Sequence, residues 1–163
     1  GFSVRSIDKQ HLEELTRTRC WLNGIGIRES ILHGDEAWEE NIVLAYHRMT
    51  RLRFEGDDGR SNPEWELAHR GFHLALISAC RSRWLIQYCE QLFDAADFYR
   101  HVSRSSLVRA KVRNLEHDQI LKAALARDVD TAVDTLVAHL QRTAYLVQDR
   151  VYPADVRAAR SEP

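Results

Sequence analysis

A chain of 163 residues with 44% hydrophobic and 29% charged residues has the size and composition of one folded domain with its own core, which excludes a disordered segment. Its 23 basic and 24 acidic residues leave a formal charge of −1, so the chain as a whole offers no electrostatic footprint for nucleic acid, and any DNA contact belongs to another segment. Cys20, Cys80 and Cys89 are odd in number and set in apolar helical patterns, which predicts buried reduced thiols in a cytoplasmic protein rather than a disulfide framework or zinc knuckle.

No apolar run approaches the roughly 20 residues that span a bilayer. The opening Gly1-Phe2-Ser3-Val4-Arg5 is neither a signal peptide nor an initiator sequence, so the chain is expected to be a fragment. Three prolines and seven glycines leave long stretches without helix breakers, and these show 3.6-residue periodicity, an all-α pattern. Ser6 and Asp8 open a first helix that runs through Trp21 and Ile25 to stop near Gly34, with Gly24 and Gly26 a place for a kink. Asp35 caps a second helix through Trp38, Ile42 and Met49 to Leu52, before the polar loop Gly56-Asp57-Asp58-Gly59.

Asn62 at the cap and Pro63 at the first helical position start a third helix, with Glu64 and Glu66 at its positive end, reaching about Ala79. After a break at Arg81-Ser82 a fourth helix runs from Trp84 to about Ser103, with Leu85, Tyr88, Leu92, Ala95 and Tyr99 on one stripe. A fifth runs from about Ser106 to Ala126. Asp128 or Asp130 caps a sixth, which carries Leu136, His139, Leu140 and Val147 to about Val151. Connections this short predict an antiparallel bundle of about six helices.

His69 and His73 lie four apart on the third helix, so their rings project from one face and can converge on one ion. Such a pair alone is more often solvated or merely packed. Its neighbours sharpen it: His117 and His139 also sit among apolar residues, on the fifth and sixth helices. Each of the two, taken singly, reads as a core histidine bonded to a carbonyl or water; taken together, the imidazoles find a common partner in a divalent cation. Imidazole donors suit Zn(II), Ni(II), Cu(II) or Fe(II), with zinc or nickel foremost, whereas magnesium or calcium asks for more carboxylates. His11, His33, His47 and His101 read as surface or ordinary core residues.

Arg70 stands where a zinc protease would carry its general-base Glu, so His69-Arg70-Gly71-Phe72-His73 is not that signature. A di-iron carboxylate bundle needs two Glu-x-x-His motifs, and only Glu66-Leu67-Ala68-His69 is present. No phosphate-binding glycine loop, dinucleotide turn or nucleophile elbow occurs.

Phe72-His73, then Glu116-His117-x-x-Ile120 forty-four residues on, then Ala126-Arg127-Asp128 and His139 twenty-two residues after His117, form a pattern that resembles the FCD domain. That domain is the ligand-binding C-terminal module of the FadR subgroup of GntR-family bacterial transcription regulators. Arg19-Cys20-Trp21-Leu22-Asn23 is similar to the family's first-helix Arg-x-x-Leu-Glu stretch, so the resemblance covers most of the chain. Residues 1–5 then correspond to a remnant of the wing and linker, 6–152 to the effector-binding helical domain, and 153–163 to a polar tail.

The resemblance implies a helical bundle, homodimeric, that binds a small carboxylic acid beside a metal and controls an N-terminal winged-helix DNA-binding domain outside this chain, as a repressor. Metal-binding members use one Asp and three His. His73, His117 and His139 match the histidines, and His69 stands where the Asp is expected, either as a fourth ligand or as a residue behind the ligands or against the effector. Arg19 matches the family's arginine and reads either as a fork for carboxylate or as a solvated helix residue. Asn23, Tyr99 and Arg100 are the remaining effector-pocket candidates, the last two equally readable as a packing tyrosine and a surface charge. Two other functions stay open at this point: a metal-dependent enzyme with Glu116 or Asp118 as its base, and a structural bundle with core histidines.

Overall fold

The computed structural model describes the backbone of residues 9–56, 61–102 and 107–151, and their side chains except 98, 100–102, 107–114, 150 and 151. Within it stand six helices: α1 Lys9–His33, α2 Glu36–Thr50, α3 Pro63–Ile77, α4 Arg83–Val102, α5 Leu107–Leu125 and α6 Val129–Val151. Among the described residues there is no strand, only an antiparallel bridge between Glu55 and Ser61. The expected residues 1–5 and 153–163, and the loop tip 57–60, lie outside the described residues. No helix among the described residues is long and apolar enough to cross a membrane.

The helix starts follow from local chemistry. Asp35 accepts the Trp38 amide at 3.0 Å, Asn62 accepts that of Glu64 at 3.0 Å, and Asp128, not Asp130, accepts that of Thr131 at 3.1 Å, so each satisfies an amide that the first helical turn leaves open. Arg81 and Arg127 take left-handed backbone at φ 59° and 56°, which ends the helical run before α4 and before α6.

Arg127 also ties the two ends of the chain's first hairpin. Its Nη1 donates to the carbonyls of Ile31 at 2.6 Å and Gly34 at 2.8 Å, its Nε donates to Glu39 at 2.9 Å, and its guanidinium lies 5.2 Å from the Trp38 ring centroid. The α5–α6 turn is thereby fastened to the α1–α2 corner.

Helix α1 packs along α6 and α4, α2 along α3, and α5 along α6. The principal core gathers Ile27, Ile42, Met49, Phe72, Leu76, Ile77, Ile120 and Leu136, and a second cluster gathers Leu12, Leu15, Ala96, Tyr99 and Val147. Each such side chain contributes about 1.5–3 kcal/mol on burial. Helix α1 runs without interruption from Lys9 to His33 through Gly24 and Gly26, and a Cβ on Gly26 would stand 2.9 Å from Ile77 Cγ2, so that glycine permits close helix contact.

The buried stripe of α4 is Cys89, Phe93, Ala96 and Tyr99, whereas Tyr88 and Ala95 face solvent. Tyr99 keeps its expected place and Leu85 and Leu92 pack against the core at partial burial, so only Tyr88 and Ala95 leave the expected stripe. Cys20, Cys80 and Cys89 are buried free thiols, as expected, and burial pushes the Cys89 thiol up to about 11.

Candidate metal centre

The start of α3 at Asn62-Pro63 sets the phase of its inward face, which buries Trp65, His69, Phe72, His73 and Leu76 at helical spacing. That phase sends two imidazoles to the bundle interior from successive turns. Helix α5 adds His117 and α6 adds His139, and the four residues are only 4%, 4%, 0% and 3% exposed in chain order. The rings meet: centroids lie 4.6 Å apart for His69–His73, 5.0 Å for His69–His117, 5.3 Å for His73–His139 and 4.5 Å for His117–His139.

One ring nitrogen from each residue lies within 4.8 Å of those of the other three, and His73 Nε2 is 3.1 Å from His69 Nε2. Nitrogens bound to one tetrahedral ion at about 2.0–2.1 Å are separated by about 3.3–3.4 Å, so closing on a shared cation asks the widest-set rings to approach by up to about 1.4 Å. The donor set therefore fits a divalent transition metal. Four imidazoles suit such an ion, and no carboxylate stands among the four donors.

The walls are aromatic. Trp65 stacks on His69 with centroids 4.6 Å apart and planes 13° from parallel, Phe72 meets His117 edge-on at 5.6 Å, and Phe93 lies 5.8 Å from His69 and 6.0 Å from His73. Apolar surroundings lower the local dielectric and strengthen any charge interaction inside.

Behind the cluster stands Glu116, the residue before His117. Its Oε2 lies 2.8 Å from Nδ1 of His139, and its Oε1 pairs with Arg142 Nη1. In the sequence Glu116 reads as the flank of His117 in the family motif and as a candidate base of the enzyme reading, not as a partner of His139. Its contact runs instead to a ligand candidate on the next helix, 23 positions away, and no short-range spacing announces that.

The effector-pocket candidates separate. Arg19 is buried, its guanidinium 5.8 Å from the centroid of Phe93, so a single ring links it to His69 and His73; the solvated reading of this arginine fails. Asn23 is buried one turn on, and its Nδ2 donates to the Arg19 carbonyl at 2.9 Å, turned back on its own helix. Tyr99 is buried in the second cluster, with the His11 ring stacked 6.1 Å away, which fits its packing role. Arg100 lies on α4 with its side chain outside the described residues. Arg70, unmentioned in the pocket expectation, lies 5.9 Å from the Phe93 centroid and 3.4 Å from Asp94.

Comparison with known proteins agrees with this geometry. The family model described as the FCD domain matches residues 14–142. The chain is 33% identical over 150 residues to the HTH-type transcriptional regulator BphR of Paraburkholderia xenovorans, covering 91% of this chain and 61% of that protein. It is 28% identical over 152 residues to the HTH-type transcriptional repressor GlaR of Escherichia coli, covering 91% and 69%. It thus spans less than two thirds of BphR and slightly more than two thirds of GlaR.

Among solved structures, the Zn2+-bound FCD domain of TM0439 superposes with a TM-score of 0.67 at 17% identity, over 90% of this chain and 98% of that one. A GntR-family transcriptional regulator from Pseudomonas syringae superposes with a TM-score of 0.70 at 17% identity, over 94% and 61%. These likenesses establish the fold.

Proposed function

This chain belongs to the FCD domain family, and on that premise we propose that it is the ligand-sensing domain of a GntR-type bacterial transcription regulator, a repressor, that binds a small carboxylic acid at a divalent-metal site. The sensing unit is assigned to the helical domain that contains the matched residues 14–142. The relatives are named as transcriptional regulators and not as enzymes, which sets aside the metal-dependent enzyme.

The observation that carries this reading is the convergence of His69, His73, His117 and His139, four buried imidazoles from three helices. Each neutral imidazole offers one lone pair and one N–H, and a cation is the partner that takes four lone pairs at one point. A divalent ion bound there would keep its full charge and, where it has an open coordination position, would draw a carboxylate. Zinc in the FCD domain of TM0439 supports the same assignment here.

The chain's own residues do the rest. Arg19, held by its place beside Phe93, presents a two-donor fork to a carboxylate or to the far end of a diacid. Asn23 steadies the same turn of α1. Because α1 packs on α4, α3 and α6, an acid that binds one arrangement of α1 better than another shifts the bundle, and only such differential affinity can reorient the DNA-binding domains across a homodimer in the cytoplasm.

The test is elemental analysis of protein purified without added metal, followed by titration calorimetry of a panel of mono- and dicarboxylates. Stoichiometric metal, and acid binding that weakens when the metal is stripped, is the expected result. Equal acid affinity with and without metal would overturn the proposed sensor chemistry.

A further inference from the structure

We propose that Glu116 is the positioning residue of this centre: it holds the Nδ1–H of His139, turns Nε2 of that ring to the shared ion, and supplies the negative charge that an all-imidazole donor set lacks. The inference rests on the metal reading above and deepens it.

Three observations carry it. Oε2 of Glu116 stands 2.8 Å from Nδ1 of His139, a hydrogen-bond distance, and a carboxylate can only accept, so the imidazole proton sits on Nδ1 and the lone pair on Nε2. Second, Oε1 is engaged by Arg142, one turn beyond His139 on the same face of α6, so the carboxylate is gripped at both oxygens and its plane is fixed. The Glu116 side chain is 13% exposed and that of Arg142 is 54% exposed, so this grip reaches from the protein surface to the ligand cluster.

Third, Glu116 precedes His117 in the chain. One stretch of α5 therefore delivers a ligand candidate from one residue and the support for another from its neighbour, which couples α5 and α6 at the ion.

The charge argument gives the pair its consequence. Four neutral imidazoles leave a divalent ion at +2 in an aromatic pocket, where uncompensated charge is costly. A carboxylate bonded to a ligand's far nitrogen raises that ligand's basicity and returns part of the missing charge without occupying a coordination position. The bland alternative is that Glu116–Arg142 is only a surface staple between α5 and α6, with His139 a passive neighbour. The two differ in what they predict for the metal.

The experiment compares wild type, Glu116→Gln, Glu116→Ala and Arg142→Ala. Zn(II) and Ni(II) affinities are read by competition with a chromophoric chelator, metal-free melting temperatures by calorimetry, and the His139 tautomer by 15N NMR of metal-free protein. We expect Glu116→Ala to weaken metal binding about 10–100-fold. Glu116→Gln, which keeps an accepting oxygen and loses the charge, falls between it and wild type. The wild-type proton sits on Nδ1 of His139, and that preference is lost in Glu116→Ala.

Arg142→Ala should lower the metal-free melting temperature about as much as Glu116→Gln while leaving metal affinity within a few-fold of wild type. Metal affinities of Glu116→Ala equal to wild type, or a His139 proton on Nε2 in the wild type, would overturn the proposal while leaving the metal site standing. A wild type that binds neither ion overturns the metal reading, and the positioning role with it.

Discussion

Nε2 of His73 lies 3.1 Å from Nε2 of His69, one turn earlier on α3, at the centre of a pocket otherwise walled by aromatic rings. Two facing lone pairs repel unless a proton or a cation stands between them, so a metal that binds there stabilises the fold by mass action. At one hundred times its dissociation constant, an added ion contributes about 2.7 kcal/mol. For a domain of this size that is about 5–10 °C in Tm. Thermal shift with Zn(II) or Ni(II) should show it, chelator should reverse it, and His73→Ala should abolish it. The same shift in His73→Ala would place the ion elsewhere.

With His69 as the proposed fourth donor, the coordination number of the ion decides what an effector can reach. Four imidazoles complete a tetrahedral zinc shell, whereas a six-coordinate ion such as Ni(II) keeps two positions for an effector carboxylate. The expected outcome is that nickel-loaded protein binds the acid more tightly than zinc-loaded protein. His69→Ala should restore acid binding to the zinc form by vacating one position. Calorimetric titrations of the two loaded forms, with wild type and variant side by side, decide it; identical affinities in all four would show that the acid does not reach the metal.

Helix ends and the His69–His73 pair of the buried histidine cluster were both legible from the sequence because each rests on short-range pattern. Asp35, Asn62 and Asp128 bond amides two or three residues away, and His69 and His73 share a face through their spacing alone. The buried face of α4 is only partly legible. Tyr88 and Ala95 fall on the expected stripe yet are exposed, because α4 is oriented by its packing on α1, where Phe93 and Tyr99 fill the contact. Glu116 is hidden for a similar reason: its partner His139 is reached across a helix interface.

Arg127, although itself exposed, should matter for stability more than a turn arginine without such partners would. Its guanidinium donates to the Ile31 carbonyl of α1, to the Gly34 carbonyl in the turn after it and to Glu39, and hydrogen bonds from a charged group are worth about 1.5–3 kcal/mol. Arg127→Ala should therefore lose about 2–4 kcal/mol by denaturant unfolding. Arg127→Gly loses the same bonds but relieves the left-handed backbone, which costs a non-glycine residue about 1 kcal/mol, so it should be the milder variant. The reverse order would mean that the backbone at 127 is not held as described.

Burial raises the Cys89 thiol to about 11 from an ordinary 9.0, which fixes the sign of a pH effect. Between those values the unfolded chain loses the proton and the folded one keeps it. Stability is then unaffected by this group below about pH 9 and falls as pH rises towards 11. Cys89→Ala should flatten that part of the stability profile in urea titrations, and native Cys89 should react with iodoacetamide far more slowly at pH 8 than the unfolded chain does. Rapid native alkylation would contradict the burial.

Two glycines in helix interiors should respond oppositely to the same substitution. At Gly26 an added methyl would meet Ile77 Cγ2 at 2.9 Å and Leu85 Cδ2 at 3.0 Å, where α1 crosses α3 and α4, so Gly26→Ala must push packed side chains aside. Overpacking of that kind costs about 1–3 kcal/mol, more than the roughly 1 kcal/mol that alanine adds through helix propensity. At Gly71 nothing lies within 4 Å of the new methyl, so only the propensity gain remains and Gly71→Ala should stabilise by about 0.5–1 kcal/mol. Metal affinity should be unchanged in Gly71→Ala, since its Cβ position points away from every packed neighbour although the residue lies between His69 and His73. A destabilised Gly71→Ala would mean that this outer face of α3 is covered in the assembled protein, because steric conflict is the one term that reverses the sign there.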